Sequence, residues 1–305
     1  MSGALSERLA AELATAGFMP DRLLIKLVGG RIAERGDEEF ERLVPKVRAM
    51  ESHRRVCAHH LGIGASLTDF LISGLPLDRA SRSEISSLGG IAHTIYAVFD
   101  YLLDVSGSAP ELFGTANSTD ARPAQLSTDP AVRGKPELVS ELVQLYFRKS
   151  KAMASKAPRV YELLERGIQK LYSAELRTST QPEIRWSTWW RKNALPIILM
   201  GLPAWILAPA EEASKISFAD HLRWLGRVGE FFGWLDDVSD YDRDCASGQA
   251  NRLRRNGTVS IEGLARRVTA KGERVLGLWD SWNEISAARD TFRVIVWTWL
   301  TAPPS

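Results

Sequence analysis

Three aspartates spaced one helical turn apart are the residues of this chain best suited to chemistry. Asp236, Asp240 and Asp244 recur at every fourth position, so a helix would place their carboxylates on one face. The aromatic run just upstream indicates a buried location, where a row of carboxylates is costly unless a cation neutralises it. Oxygen ligands alone favour a hard ion, Mg²⁺ before Ca²⁺ or Zn²⁺. The plainer alternative is a solvated acidic helix end in which Arg243 pairs with one aspartate.

A second acidic pair lies far upstream in an otherwise apolar segment. Asp100 and Asp104 are also four residues apart, and Tyr96 and His93 extend the same helical face toward the N-terminus. Such a pair alone is weak evidence for a metal site, because it occurs by chance in many helices. Two acidic helix faces, each embedded in apolar sequence, are a much more specific pattern. Opposed across a cavity, they would bind Mg²⁺ and, through it, a substrate diphosphate.

The two segments together resemble the aspartate-rich helices of class I isoprenoid synthases, which include trans-prenyltransferases and terpene cyclases. The first family motif is usually Asp-Asp-x-x-Asp; here Asp100 and Asp104 keep the first and last aspartates, and Tyr101 stands in place of the middle one. The second segment fits both the prenyltransferase pattern and the cyclase metal triad. Residues 237–243 are also similar to the prenyltransferase of moenomycin biosynthesis, an atypical member, and 248–253 resemble the basic continuation of prenyltransferases.

The resemblance implies one all-α domain over residues 1–305, a helical bundle around a central cavity, with Mg²⁺ as cofactor and a homodimeric assembly. It implies a prenyl diphosphate substrate and an enzyme of isoprenoid secondary metabolism. The expected site residues are Asp100, Asp104, Asp236, Asp240 and Asp244 for the metal; Arg191, Lys192, Arg243 and Arg252 for the diphosphate; Tyr172, Glu175, Trp186 and Trp189 for the substrate; and Arg191, Tyr96, Phe99 and Phe232 for catalysis.

Several of these residues also have ordinary structural interpretations. Glu175 could be a salt-bridge partner, and the tryptophans of 185–192, a segment that mixes three Trp with three cations, could be plain core. The basic stretch 251–256 could be a solvated loop. Guanidinium nevertheless suits diphosphate oxygens, and Trp faces can stabilise a carbocation.

Composition places few other constraints on function. The 305 residues are 45% hydrophobic, enough for a packed core, and a net charge of +2 without a Lys/Arg block argues against nucleic-acid binding. The two cysteines form no metal spacing, and the N-terminus lacks a signal-peptide pattern, so a cytoplasmic location is expected.

Helical periodicity dominates the chain, so the predicted helices must position the site residues. Helices are expected over 5–16, 21–34 and 38–60, broken at Gly29, Gly30 and Gly36, with Ser81 or Ser83 capping the first acidic helix. The composition of residues 106–136 predicts a mobile loop, which is either a lid over the metal site or a surface loop without a role in function. The apolar run 194–210 contains three prolines and predicts a broken buried helix rather than a membrane span, with peripheral membrane contact left open.

The pattern leaves three functions open. A chain-elongating enzyme of the family would need basic residues that 29–31 and the segment after Asp104 do not supply, which favours a terpene cyclase or related lyase. The alternatives are an atypical prenyltransferase with a second substrate and a catalytically silent helical binding protein. The Arg-Tyr pair expected of cyclases after the second motif has no match in the sequence.

Overall fold

Helices account for nearly all of the chain that can be described. The computed structural model describes residues 5–106, 133–154, 157–180, 185–208, 215–248, 251–253, 260–282 and 286–301. In these ranges every regular element is a helix, which confirms the all-α prediction. The expected mobile loop falls mainly on 107–132, outside the described residues; the helices flanking it reach Ser106 and resume at Lys135.

Twelve α-helices follow one another through these ranges, with two short 3₁₀ segments (Val44–Lys46 and Arg48–His53) between the second and third. They are α1 (Leu5–Thr15), α2 (Arg22–Leu43), α3 (Arg54–Ile72), α4 (Arg79–Ser106), α5 (Lys135–Ala154), α6 (Pro158–Thr180), α7 (Trp186–Gly201), α8 (Ala204–Leu207), α9 (Phe218–Ser239), α10 (Tyr241–Ser247), α11 (Ile261–Asp280) and α12 (Ser286–Thr301).

Side-chain caps set where the two acidic helices begin. The expectation that Ser81 or Ser83 caps α4 is wrong: Asp78 Oδ1 accepts a hydrogen bond from Ser81 N at 2.7 Å, so the helix starts three residues earlier. Asp78 is the better cap because its carboxylate also complements the positive end of the helix dipole. At the start of α9, Ser217 Oγ accepts from Asp220 N at 3.1 Å.

The glycines expected to break the second helix lie inside it. α2 continues through Gly29, Gly30 and Gly36. Gly36 instead permits close packing, because a Cβ there would lie 2.1 Å from the Ala58 carbonyl oxygen on α3. The glycine is thus required by helix–helix contact, which the local sequence pattern does not reveal.

A similar close approach joins α7 to α9, the two helices that carry Lys192 and Asp236. A Cβ at Gly229 would lie 2.4 Å from Ala194 Cα, and one at Gly233 would lie 2.5 Å from Asn193 Cγ. Both glycines precede Asp236 on α9. The contact holds the α7 side chains next to the second acidic segment.

Aromatic rings fill the core between α3, α9, α11 and α12. The Phe70 ring centroid lies 5.6 Å from that of Trp224, 5.4 Å from that of Trp279 and 4.7 Å from that of Phe292. All four side chains are buried. Burial of such large apolar groups is the main stabilising term available to this layer of the bundle.

The described part of the apolar run, 194–208, forms parts of two helices. α7 continues through Pro196 to Gly201, and α8 resumes at Ala204, so the chain bends at Leu202 and Pro203. Most of these residues are buried. Among the described residues, every helix falls short of the length and apolarity needed to span a membrane.

Candidate active site

The second acidic segment is built at the junction of two helices rather than within one. Asp240 ends α9 and starts α10, with φ −93° and ψ −2°. The turn-to-turn bonding persists across the junction, since Asp240 N donates to Asp236 O at 2.9 Å and Asp244 N donates to Asp240 O at 2.8 Å. The three aspartates therefore keep their one-turn spacing.

The first acidic helix faces this junction through Asp100. The pKa of Asp240 is raised to about 6, first by burial and then by Asp244 and Asp100, although Arg243 lowers it. The pKa of Asp236 is also raised well above its usual range, first by burial and then by Asp240 and Asp100. Asp100, Asp236, Asp240 and Asp244, which we call the acidic cluster, thus share one electrostatic environment.

Lys192 extends from α7 to the edge of the acidic cluster. Its Nζ lies 3.0 Å from Asp100 Oδ1 and 3.4 Å from Glu175 Oε2 on α6, whose side chain is only 1% exposed. Burial alone would lower the pKa of Lys192, but Asp100 and Glu175 raise it well above its usual range, so the side chain is an ammonium. The predicted salt-bridge interpretation of Glu175 is compatible with this contact.

Arg243 is the second cation at the cluster. Its guanidinium lies 2.8 Å from Asp240 Oδ2, one turn away on α10. The pairing anticipated for an acidic helix end is present, yet Asp244 is buried and Asp236 half-buried beside it. Arg243 therefore neutralises only part of the cluster.

Asp237 and Asn251 support the cluster from behind. Asp237 is buried and accepts a hydrogen bond from Trp189 Nε1 at 3.0 Å. Burial raises the pKa of Asp237 to about 7, a shift that this hydrogen bond opposes. Asn251 Nδ2 donates to Asp244 Oδ2 at 2.9 Å and to Asp237 O at 2.6 Å, fixing the third aspartate. Sequence reasoning missed Asn251, because an amide in a polar stretch looks like loop composition.

The tryptophan-rich segment lies behind the cluster, where it holds a cation. Trp186 and Trp189 stack with their ring centroids 4.9 Å apart, and the Arg252 guanidinium lies 4.4 Å from the first ring and 5.0 Å from the second. Trp189 is buried, whereas Trp186 is 46% exposed. The structure groups these three predicted site residues with one another and not with the residues that line the main cavity.

Arg191 takes a different direction from its neighbour Lys192. It is exposed and lines a polar pocket between α6 and α7 together with Lys170 and Arg177. The residues that line the main cavity do not include it. Lys192 therefore reaches the acidic cluster, whereas Arg191, the residue before it on α7, faces solvent.

An apolar cavity of about 1020 Å³, counting open solvent at its mouth, extends away from Asp236 and Glu175. Seven Phe, Tyr and Trp side chains line it: Tyr96, Phe99, Tyr146, Phe147, Tyr172, Phe232 and Trp299. Ring centroids are 5.8 Å apart for Phe99 and Tyr172 and 5.1 Å apart for Phe232 and Trp299. Four of the seven, Tyr96, Phe99, Tyr172 and Phe232, were predicted from the sequence as site residues; Tyr146, Phe147 and Trp299 were not.

The acidic cluster has the donor chemistry of a hard-cation site. Within the described ranges, side chains of Asp, Glu, His and Cys do not already converge in a group of three that could hold a metal ion. Asp104 lies on α4, but its side chain is outside the described residues. Burial and neighbouring carboxylates raise the pKa values of Asp236 and Asp240 although Lys192 and Arg243 oppose the rise, so an added cation would favour the ionised carboxylates.

Comparison with known proteins identifies the fold. No protein-family profile and no curated protein sequence matches the chain. Among solved structures, it is similar to the crystal structure of an apo FPP/GFPP synthase from Zymomonas mobilis. The match covers 90% of this chain and 99% of the other, with 13% sequence identity and a TM-score of 0.52. This chain therefore has the helical fold of an isoprenoid synthase, as the sequence predicted.

Proposed function

We propose that this protein is a Mg²⁺-dependent terpene synthase that ionises a linear prenyl diphosphate and converts the allylic cation to a terpene. One observation carries the proposal: an acidic cluster from α4, α9 and α10 lies at one end of an aromatic, apolar cavity. Such a site offers an anion-binding end and a dry end to the same elongated molecule.

The metal would be held by Asp100, Asp236, Asp240 and Asp244, with Asp104 as a further predicted ligand. When bound, Mg²⁺ would neutralise the charge that develops on the diphosphate as it leaves. Asn251 would orient Asp244, since its amide bonds that carboxylate directly.

Lys192 and Arg243 supply fixed positive charge at the same end. Lys192 is held by Asp100 and Glu175, and Arg243 by Asp240, so both cations are oriented before any substrate arrives. Preorganised charge of this kind orients an anionic group at little reorganisation cost. The other predicted diphosphate contacts, Arg191 and Arg252, would have to move to take part.

The cavity walls would protect the cation. Tyr96, Phe99, Phe232 and Trp299 present rings to the space next to Asp236. Their π faces stabilise positive charge by roughly 2 kcal/mol each when desolvated, and the apolar lining excludes water that would quench the cation. Burial raises the pKa of Tyr96 well above its usual range, and Glu175 and Asp100 add to the rise, so its phenol is neutral.

Transfer of the prenyl group to a second substrate is the second candidate. It is favoured by the similarity of the fold to a protein described as an FPP/GFPP synthase, and by the sequence of 236–253. A silent binding protein with the same fold is the remaining alternative, and it predicts no diphosphate release.

The test is incubation with C10, C15, C20 and longer prenyl diphosphates and Mg²⁺, each with and without isopentenyl diphosphate. Released diphosphate and organic products are measured together. A hydrocarbon or alcohol from one substrate alone supports the terpene synthase. Product that requires the second substrate moves the assignment to prenyl transfer, and no diphosphate release under any condition overturns both.

A matched pair of variants tests the acidic cluster. Asp240→Asn should abolish Mg²⁺-dependent diphosphate release, whereas Asp242→Asn, two residues away and exposed, should leave it intact. Both variants should keep the helical circular-dichroism spectrum. Equal activity in the two variants would contradict the assignment of the metal to this cluster.

A further inference from the structure

A histidine lines the cavity two helical turns from the acidic cluster. His93 precedes Asp100 by seven residues on α4, which places it about 10 Å further along the helix. It is buried, and its ring lies edge-on to Trp299 with centroids 6.2 Å apart. It is thus an ionisable group at the apolar end of the cavity, where the proposed mechanism has so far used only hydrocarbon and aromatic surface.

Close packing of α3 against α4 holds this ring in place. A Cβ at Gly64 would lie 2.5 Å from His93 Cβ, and one at Gly89 would lie 1.8 Å from Thr68 Oγ1. The two helices therefore approach until His93 Nδ1 lies 3.1 Å from the backbone oxygen of His60. The orientation of the imidazole follows from this backbone contact and from the ring of Trp299.

The same contact decides which ring nitrogen carries the proton. A carbonyl oxygen can only accept, so Nδ1 of His93 must donate, and in the neutral ring Nε2 is left with a free lone pair. Among the described residues, Nε2 of His93 has no hydrogen-bond partner. It is also not among the buried, solvent-inaccessible polar atoms that lack a partner. The lone pair therefore opens onto the cavity that His93 lines.

The ring is neutral at physiological pH. Burial lowers the pKa of His93 to about 4, although the hydrogen bond to His60 works in the opposite direction. A neutral imidazole can accept a proton, and a carbocation is acidic enough to give one even to a weak base.

We propose that His93 is the base that ends the reaction, a step that rests on the proposed function. Nε2 of His93 takes a proton from a carbon next to the cationic carbon. The electron pair of that C–H bond becomes the new C=C bond, the hydrocarbon becomes neutral, and His93 becomes an imidazolium. The imidazolium returns its proton to water when the product leaves and solvent enters the cavity.

The experiment compares wild type, His93→Gln and His59→Gln with C10, C15 and C20 prenyl diphosphates and Mg²⁺. Gln keeps an N–H donor for His60 O but has no basic nitrogen. His59 is an exposed histidine, and its ring contacts that of His60 without lining the cavity, so it is the matched control. Diphosphate release, the ratio of olefin to alcohol and helical content are measured for each.

In His93→Gln, diphosphate release should stay within about threefold of wild type, because the variant leaves the acidic cluster intact. The ratio of olefin to alcohol should fall about tenfold, since water replaces the missing base. His59→Gln should match wild type. His93→Phe, which is also non-basic and keeps the cavity apolar, should repeat the shift if Gln disturbs folding.

Three results would overturn the proposal while leaving the proposed function intact: the same product ratio in His93→Gln and His93→Phe as in wild type, an equal shift in His59→Gln, or only alcohol from wild type. Loss of diphosphate release in folded His93 variants would place the residue in ionisation instead, which also overturns it. No diphosphate release by wild type with any substrate would reject the proposed function itself.

Discussion

The Lys192 ammonium lies 3.0 Å from Asp100 Oδ1, so a cation on α7 is paired with the first acidic helix. The same nitrogen lies 3.4 Å from the buried carboxylate of Glu175 on α6. One side chain therefore links three helices at the end of the cavity where the acidic cluster lies. Its charge supports the fold as well as the proposed binding of an anion.

Lys192→Met should lower stability by about 3 kcal/mol, because it leaves the buried Glu175 carboxylate without this ammonium. The double variant Lys192→Met/Glu175→Gln should recover part of the lost stability, since the second change removes the negative charge of the buried Glu175 side chain. Urea unfolding followed by circular dichroism measures both. If the double variant is no more stable than Lys192→Met, the Lys192–Glu175 pair is not the origin of the effect.

Gly229→Ala should destabilise the protein by several kcal/mol, because the new Cβ would meet Ala194 Cα at 2.4 Å and push α7 from α9. Gly277→Ala is the matched control: it lies inside α11, and a Cβ there would have no neighbouring atom within 4 Å. Alanine at this position should raise stability by about 0.5–1 kcal/mol. Thermal unfolding of the two variants should shift in opposite directions, and a parallel shift would contradict the packing argument.

Asn251→Ala should raise the Mg²⁺ concentration needed for half-maximal diphosphate release about 10- to 100-fold, because Asp244 loses the amide that orients it. The control is Cys245→Ser, an exposed change on the same short helix as Asp244. A Mg²⁺ titration of the two variants distinguishes a supporting role from general damage to α10. An unchanged titration in Asn251→Ala would remove Asn251 from the site.

Acid should destabilise the protein through His221. Its Nδ1 accepts from Trp205 Nε1 at 2.8 Å and its Nε2 lies 2.8 Å from Leu71 O, so the folded state needs the neutral ring. Burial lowers the pKa of His221 to about 4, below the usual 6.5, so the unfolded state binds the proton first as pH falls. This contribution is complete above pH 6.5 and is lost between about pH 6.5 and 4, with a total on the order of 3 kcal/mol.

His221→Gln isolates that contribution from the other titrating groups. The difference in unfolding free energy between wild type and the variant should be constant above about pH 6.5 and shrink as pH falls toward 4. Tryptophan fluorescence, to which Trp205 contributes through its hydrogen bond to His221, follows the unfolding transition. A difference that does not change with pH would show that His221 is not the titrating group.

Much of the candidate site follows from the order of residues along one helix. The four-residue spacing of Asp236, Asp240 and Asp244 survives the junction at Asp240, because the backbone bonds continue across it. Tyr96, Phe99 and Phe232 lie near the aspartates for the same local reason, one turn or less along their helices. Three or four residues make one turn whether or not the helix is straight.

Residues whose roles depend on a second helix are harder to predict. Arg191 and Lys192 are adjacent cations, and only the rotation of α7 against α4 and α6 decides that Lys192 meets Asp100 while Arg191 is exposed. Successive side chains in a helix point about 100 degrees apart around its axis, so one of two adjacent residues can face the protein interior while the other faces solvent. Gly36 resembles a helix break in the sequence because its close contact with Ala58 on α3 is invisible in the sequence of α2.

The helical class and the two acidic segments are readable from the sequence, because they depend on local spacing, and the resemblance of the two segments to a known family added the expectation of an isoprenoid-synthase fold. The tertiary structure alone decided that Trp186 and Trp189 hold Arg252, that Trp299 joins the cavity wall and that His93 opens onto it. These contacts join residues far apart in the chain. Their geometry is set by helix crossing and by side-chain volume, which no pattern within a single helix encodes.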